Sequence, residues 1–96
     1  MRIDTHQHFW QHNTTDYVWM SEEHNSLKRN FLPEHLLPLL DDCKIEGTIA
    51  VQARQMMKET DFLLELAENH SIIKGVVGWI PLCDGSVEGY LDKYAI

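Results

Sequence analysis

Two histidines, His6 and His8, stand at the end of a short N-terminal segment with the character of a β-strand. Side chains alternate between the faces of a strand, so residues two apart point the same way, and Asp4 shares the face of the two histidines. Their Cα atoms would lie about 6.5 to 7 Å apart, which lets the ring nitrogens converge on one divalent ion. The spacing therefore predicts a metal-binding pair, with two structural histidines as the alternative. Asp4 lies deeper in the strand and is expected to orient a histidine or backbone amides.

The segments that must position this pair alternate between strand and helix patterns. Strands are predicted at residues 2–8, 47–53 and 72–80, and helices at residues 58–70 and from residue 89 onward. Around Pro38 the pattern predicts a turn at residues 33–37 and a helix that restarts at the proline, because an internal proline removes a hydrogen bond. The apolar stripe of this helix consists of Leu36, Leu39, Leu40 and Cys43.

Residues 9–31 show no sustained period and are predicted to form one long irregular loop. Its aromatic residues Trp10, Tyr17, Trp19 and Phe31 favour a packed lid over the site. An aromatic-anchored structural loop is the alternative.

The order of these elements predicts an α/β fold with a parallel sheet. Three parallel strands alone leave two open edges and helices with unmatched apolar surface. We therefore interpret residues 1–96 as the N-terminal β-α-β-α-β-α portion of a single (β/α)8 TIM-barrel domain, truncated from a barrel of about 250 residues. In such barrels the chemistry lies at the carboxyl ends of the strands, where His6 and His8 stand.

Composition and charge exclude several classes of function. The chain is 44% hydrophobic and 24% charged, as expected for a globular protein. It has no apolar run near the roughly 18 residues of a membrane span and no secretory signal, so we expect a cytoplasmic protein with no membrane partner. A net charge of −7 with only eight Lys and Arg residues disfavours nucleic acid. Cys43 and Cys83 are expected to be ordinary thiols.

A set of short motifs runs through nearly the whole chain in a fixed order. They are RIDTHQHFW at residues 2–10, YVW at 17–19, FLPE at 31–34, GTIAVQARQ at 47–55, ET at 59–60, LLELA at 63–67 and GVVGW at 75–79. Through this set the chain resembles the sugar-lactonase branch of the amidohydrolase superfamily, the amidohydrolase-2 type of metal-dependent hydrolases with a TIM-barrel fold. The resemblance implies a hydrolase that opens a sugar-acid lactone, such as an L-fucono- or L-rhamnono-lactone, by attack of water.

The same resemblance implies roles for five residues. His6 and His8 match the histidine pair that binds metal in the wider superfamily, so they are expected to be catalytic residues and metal ligands. Gln52 and Trp79 match strand-end positions that face the substrate cavity, and Trp10 matches the loop rim. The implied cofactor is a divalent metal, with zinc the foremost candidate, although the family also includes lactonases that need no metal. The implied partner is a small-molecule lactone.

Two departures from the family pattern accompany these matches. Lys44 occupies the turn after the first helix, where such sequences often have glycine. The later histidines and the aspartate that would complete a metal site and supply a general base would lie beyond Ile96. The 96-residue chain alone is therefore expected to be inactive.

Each candidate residue can serve the chemistry in a stated way. A histidine-bound ion polarises a carbonyl and lowers the pKa of its water to about 7. Without a metal, the imidazoles of His6 and His8 can donate hydrogen bonds to the developing oxyanion. The Gln52 amide can bind sugar hydroxyls or cap a strand end, and Trp10 and Trp79 can form a flat apolar wall or part of the core. A silent fragment, or an amidohydrolase or decarboxylase of the same fold, are the alternative functions.

Overall fold

The protein has an α/β architecture built on three parallel strands, as the sequence predicts. The computed structural model describes residues 1–12 and 22–94. The strands β1 (Ile3–Gln7), β2 (Gly47–Val51) and β3 (Ile73–Val77) form one sheet in the order β1-β2-β3. Both neighbouring pairs are parallel. The helices are α1 (Pro33–Cys43), α2 (Met57–Asn69) and α3 (Val87–Tyr94), and a 3-10 helix spans Glu22–Leu27.

The central strand β2 is the most deeply buried of the three. Its apolar, partly β-branched sequence suits a strand that is covered on both faces, and Thr48 and Ala50 are fully buried. A small core forms around it from Phe9, Leu63 and Ile73. An apolar stripe of α2 packs on this core through Phe62, Leu63, Leu66 and Ala67, and α2 confirms the helix predicted at residues 58–70.

Helix α1 is continuous through Pro38, so the predicted turn and restart at this residue are wrong. Pro38 lies in the second turn, where the bond that its nitrogen cannot make would go to the carbonyl of Glu34. Both residues are exposed, so this carbonyl can be hydrated, and the helix loses a single hydrogen bond. Pro33 at the first helical position suits the helix start.

The apolar stripe predicted for α1 is only partly buried. Leu40 is buried and Leu36 packs against the core, as expected. Leu39, in contrast, is 60% exposed, and Cys43 is exposed as a free thiol. These two predictions are wrong because α1 has little structure packed on that side within the described residues.

Lys44 ends α1 in the left-handed conformation, with φ 58° and ψ 40°. It is the one non-glycine residue with positive φ among residues 1–12 and 22–94. The amide of Ile45 donates to the carbonyl of Leu40 at 2.9 Å, which closes the helix end. The structure therefore confirms the turn that the sequence places at Lys44, after the first helix.

The segment between β1 and α1 is more ordered than the sequence predicts. The described part contains the 3-10 helix Glu22–Leu27, so the prediction of a wholly irregular loop is wrong there. Trp10 and Phe31 form an antiparallel bridge with two backbone hydrogen bonds of 2.9 Å that joins the two ends of the segment. Tyr17 and Trp19, which the sequence assigns to the lid, lie outside the described residues.

No helix in the described segments is both long enough and apolar enough to cross a bilayer.

Candidate active site at the carboxyl ends of the strands

Asp4 braces the end of β1 from within the strand. Its Oδ1 accepts a hydrogen bond from the backbone amide of His6 at 3.1 Å, and its Oδ2 accepts one from the side-chain amide of Gln7 at 2.9 Å. Asp4 thus orients a backbone amide, which is one of the two partners that the sequence predicts for it. The contact with Gln7 departs from strict alternation, because the pairing of β1 with β2 is irregular between Asp4 and Gln7.

His6 and His8 converge as their spacing predicts. Their Nε2 atoms lie 3.2 Å apart, and the rings meet edge to face with centroids 4.9 Å apart and an angle of 77°. His6 is exposed and His8 is half-buried. Both nitrogens therefore face one point at the rim of the sheet that a small molecule can reach.

The orientation of His8 is fixed by the neighbouring strand. Its Nδ1 lies 3.0 Å from the backbone carbonyl of Val51, the last residue of β2. A carbonyl oxygen can only accept, so we assign the ring proton to Nδ1, and the Nε2 of the neutral ring then carries a lone pair. This lone pair is directed at His6. A backbone carbonyl on the far nitrogen is one of the usual partners of a histidine that ligates a metal.

The separation of the two nitrogens fits a shared metal ion. Zinc binds imidazole nitrogen at about 2.0 to 2.1 Å, so two ligands in tetrahedral geometry lie about 3.3 Å apart. The observed 3.2 Å agrees with that distance. Within residues 1–12 and 22–94, no group of three or more His, Cys, Asp or Glu residues is arranged to hold an ion. His6 and His8 would therefore supply two ligands of a larger set.

Hydrogen bonds join the ends of the three strands into one edge. His8 is tied to Val51 at the end of β2, and the amide of the next residue, Gln52, donates to the carbonyl of Val77 at the end of β3 at 2.8 Å. Gln52 and Trp79, the two residues predicted to face a substrate cavity, line a common cleft of about 590 Å³. The rest of its lining includes Pro81 and Leu82, so the cleft is largely apolar.

His8 lines a different cleft, of about 290 Å³, between β1 and α1. The structure thus brings His6 and His8 together and Gln52 and Trp79 together, and the cleft lined by His8 is separate from the one that Gln52 and Trp79 line. Trp10 packs on Phe31, with ring centroids 4.4 Å apart, and Phe31 in turn lines the cleft beside His8. The guanidinium carbon of Arg29 lies 4.3 Å from the Phe31 ring centroid, which places a cation at the same rim.

Glu59 and Thr60 hold the loops that follow β2 and β3, a role that the sequence reasoning missed. The Glu59 carboxylate is fully buried and accepts hydrogen bonds from the amides of Ala53 and Arg54 at 2.7 and 3.1 Å. The Thr60 hydroxyl accepts from the amide of Trp79 at 2.8 Å and donates to the carbonyl of the same residue at 2.6 Å. In the sequence, Glu59 and Thr60 stand out only as the ET motif at residues 59–60. The pairing of Glu59 with Thr60 inside a shared motif was the available signal.

The end of α3 is tied to α2 through Tyr94. Its hydroxyl donates to Asp61 at 2.8 Å, and Lys93 lies 3.9 Å from the same carboxylate. Partial burial, and then the hydrogen bond and negative charge of Asp61, raise the pKa of Tyr94 above its usual value of 10.0. This contact stabilises the fold and lies away from His6 and His8.

Comparison with known proteins places these observations in a family, although no family model matches the sequence. The chain is 47% identical over 79 residues to an L-fucono-1,5-lactonase of Burkholderia multivorans. It is 38% identical over 81 residues to an L-fucono-1,5-lactonase of Burkholderia ambifaria. These alignments cover 82% and 84% of this chain but 27% and 28% of the two relatives.

Solved structures give the same result. An amidohydrolase from Burkholderia multivorans, crystallised with bound zinc, matches 98% of this chain with a TM-score of 0.93 and 40% identity. A second crystal form of an amidohydrolase from that organism, with bound HEPES, matches equally well. The chain corresponds to 33% of each of these structures.

A parallel α/β sheet with paired histidines at its carboxyl edge, together with these matches, defines a hydrolase family. The chain belongs to the amidohydrolase superfamily, amidohydrolase-2 type. Within that family it is similar to the lactonases.

Proposed function

We propose that this chain forms the N-terminal part of a (β/α)8 barrel that opens a sugar-acid lactone by attack of water. The observation that carries the proposal is the convergence of the two Nε2 atoms at 3.2 Å, with His8 held by the Val51 carbonyl. Its place at the carboxyl ends of parallel strands is where barrel enzymes carry out their chemistry. The similarity to two L-fucono-1,5-lactonases supports an L-fucono-lactone or a related sugar lactone as the substrate.

His6 and His8 would hold a divalent metal, with zinc favoured because a similar amidohydrolase was crystallised with it. A bound ion of this kind supplies a Lewis acid for the lactone carbonyl and a nucleophilic water at neutral pH. Val51 keeps the proton of His8 on Nδ1 and its Nε2 free to bind. Asp4 fixes the backbone of His6, so that both rings keep their relative position during the reaction.

Gln52 and Trp79 would bind the substrate ring in the cleft that they share. The Gln52 amide can donate to and accept from sugar hydroxyls, and the indole of Trp79 offers a flat apolar face to the sugar. Trp10, stacked on Phe31, would form the rim on the side of β1. These contacts act on the bound lactone in the same way before and during the reaction, so they would govern KM.

The rest of the barrel would complete the site. The chain spans 27% of the Burkholderia multivorans lactonase that it matches. Further metal ligands and a general base would come from later strands of the barrel. The 96-residue chain alone would then be without activity.

We expect a complete barrel containing this chain to open aldonolactones. A suitable protein, termed here the composite barrel, carries this chain in place of the matching segment of the Burkholderia multivorans lactonase. Each turnover releases a proton when the sugar acid forms, so a pH indicator at neutral pH follows the reaction directly. The panel should include five- and six-membered sugar lactones, simple amides and β-keto acids, with the unmodified relative as the control.

Turnover confined to the lactones would support the proposal. Turnover of amides or β-keto acids with no reaction of any lactone would instead favour an amidohydrolase or decarboxylase of the same fold. A composite barrel that folds cooperatively but acts on nothing, beside an active relative, would favour a catalytically silent segment.

A further inference from the structure

We infer that Glu59 and Thr60 are positioning residues that fix the backbone at the ends of the two strands that carry the substrate-binding residues. Glu59 acts on the loop that begins at Gln52, and Thr60 acts on Trp79. The inference rests on the proposed function, because it assigns these residues to the cleft that would bind the lactone. Neither side chain lines that cleft. Both stand in the first turn of α2, where adjacent residues reach different strands.

Glu59 is a carboxylate with no exposed surface. A buried charge is costly unless hydrogen bonds and a counter-charge compensate for it. Here one oxygen accepts the amides of Ala53 and Arg54, and the other lies 3.3 Å from the Arg54 guanidinium. All three donors belong to the loop directly after Gln52. The carboxylate therefore determines where the chain turns as it leaves β2, and with it the direction of Gln52.

Thr60 performs the equivalent task for β3. Its single hydroxyl satisfies both the amide and the carbonyl of Trp79, just beyond the last residue of the strand. The contact needs a glycine at position 78, because a Cβ there would lie 2.8 Å from Thr60 Cγ2. Threonine and glycine thus form a matched pair that holds the backbone of Trp79 against the start of α2.

The Glu59 carboxylate and the Thr60 hydroxyl lie at adjacent positions in one turn of α2, and each holds the end of a different strand. We call these two contacts the anchors of β2 and β3. His6 lies in β1 and His8 directly follows it, and their hydrogen bonds go to Asp4, to each other and to Val51 rather than to Glu59 or Thr60. Loss of either anchor should misplace one substrate-binding residue and leave the histidine pair intact. A residue that only stabilised the fold would affect all of these features together.

Hydrogen exchange in the composite barrel tests the two anchors without any substrate. We expect Glu59→Gln to speed exchange of the Ala53 and Arg54 amides by about tenfold or more, since a neutral amide is a weaker acceptor than a carboxylate. Thr60→Val, which keeps the shape of the side chain, should speed exchange of the Trp79 amide instead. Thr60→Ser keeps the hydroxyl and should restore protection. Glu65→Gln, which removes an exposed charge from the same helix, is the matched control and should change none of the three.

Steady-state kinetics then test the link to substrate. Glu59→Gln, Thr60→Val and Gln52→Ala should each raise KM by about tenfold with kcat nearly unchanged, because contacts made equally in ground and transition states act on KM. The KM of the double variant Glu59→Gln, Gln52→Ala should be little higher than that of either single variant, since both changes act through Gln52. In the double variant Thr60→Val, Gln52→Ala the two effects on KM should multiply, so that KM rises by about a hundredfold. Zinc content should stay at the level of the parent protein.

Several results would overturn the inference. The first is faster exchange at the Ala53, Arg54 and Trp79 amides together in either Glu59→Gln or Thr60→Val. The second is a lower melting temperature of these variants with KM unchanged. The third is loss of zinc from both variants. If the parent composite barrel opens no lactone, the proposed function fails and the substrate role of both anchors fails with it. The exchange pattern still separates that result from a failure of the anchors themselves.

Discussion

Asparagine in place of either His6 or His8 is expected to lower the kcat of the composite barrel for sugar lactones by about 10²-fold or more. In the proposed function, the side chain that is lost would stabilise the charge that develops on the lactone carbonyl, either through a bound metal or as a hydrogen-bond donor. The two Nε2 atoms face one point, so a variant that lacks either ring keeps only one of the two nitrogens directed at it. KM should change much less than kcat, because in the proposed function the contacts to the sugar would come from other residues. Initial rates by pH indicator across a range of lactone concentrations measure both constants.

His70 provides the matched control for these substitutions. It follows α2 and precedes β3, which places it at the amino end of the sheet, opposite the candidate site. His70→Asn should therefore keep kcat within about twofold, as expected for a change away from the reacting groups. Full turnover in both His6→Asn and His8→Asn would contradict the assignment of these residues as catalytic.

The 96-residue chain by itself is expected to show no cooperative thermal transition, whereas the composite barrel should melt cooperatively. Besides Pro33, only five hydrophobic residues in the described segments are buried, namely Phe9, Leu40, Ala50, Leu63 and Ile73. Several large apolar side chains are exposed instead, with Leu82 at 75%, Leu39 at 60% and Val77 at 51%. Ordering the backbone costs about 1 to 2 kcal/mol per residue, which so small a core does not offset.

The dimensions of the chain support the same expectation. The radius of gyration is 14.7 Å, with extents of 45 × 38 × 18 Å. A compact domain of this length would have a radius of about 12.5 Å. The outer edges of β1 and β3 pair with no other strand among the described residues, which leaves them open to association. Near-UV circular dichroism, thermal melts and sedimentation of the isolated chain measure the outcome. Sharp near-UV bands and a cooperative melt of a monomer would contradict it.

The parts of the fold that the sequence predicted well are those where one strong pattern acts alone. Strand β2 follows from its apolar, β-branched residues, and α2 from the helical pattern at residues 58–70, one face of which packs on the core. Pro38 misled the prediction because its penalty depends on whether the freed carbonyl can reach water, which a sequence does not show. The 3-10 helix Glu22–Leu27 was missed because its polar sequence has no apolar period.

The candidate site was likewise predictable from the sequence only in part. The convergence of His6 and His8 follows from the two-residue period of a strand, and the structure confirms it. The bond from His8 to Val51 joins residues 43 positions apart, so its existence depends on the pairing of β1 with β2. Glu59 escaped notice because a glutamate in a first helical turn is ordinarily an exposed partner of the helix dipole. Only the fold shows that it is buried against the loop after β2.

The most direct test of the central claim is a crystal structure of the composite barrel with data collected at the zinc absorption edge. We expect one anomalous peak within bonding distance, about 2.0 to 2.1 Å, of Nε2 of both His6 and His8. The Nδ1 of His8 should remain on the Val51 carbonyl. A zinc ion bound elsewhere in an active barrel, with the two Nε2 atoms still in direct contact, would contradict the claim that this histidine pair is the metal-binding element of the site.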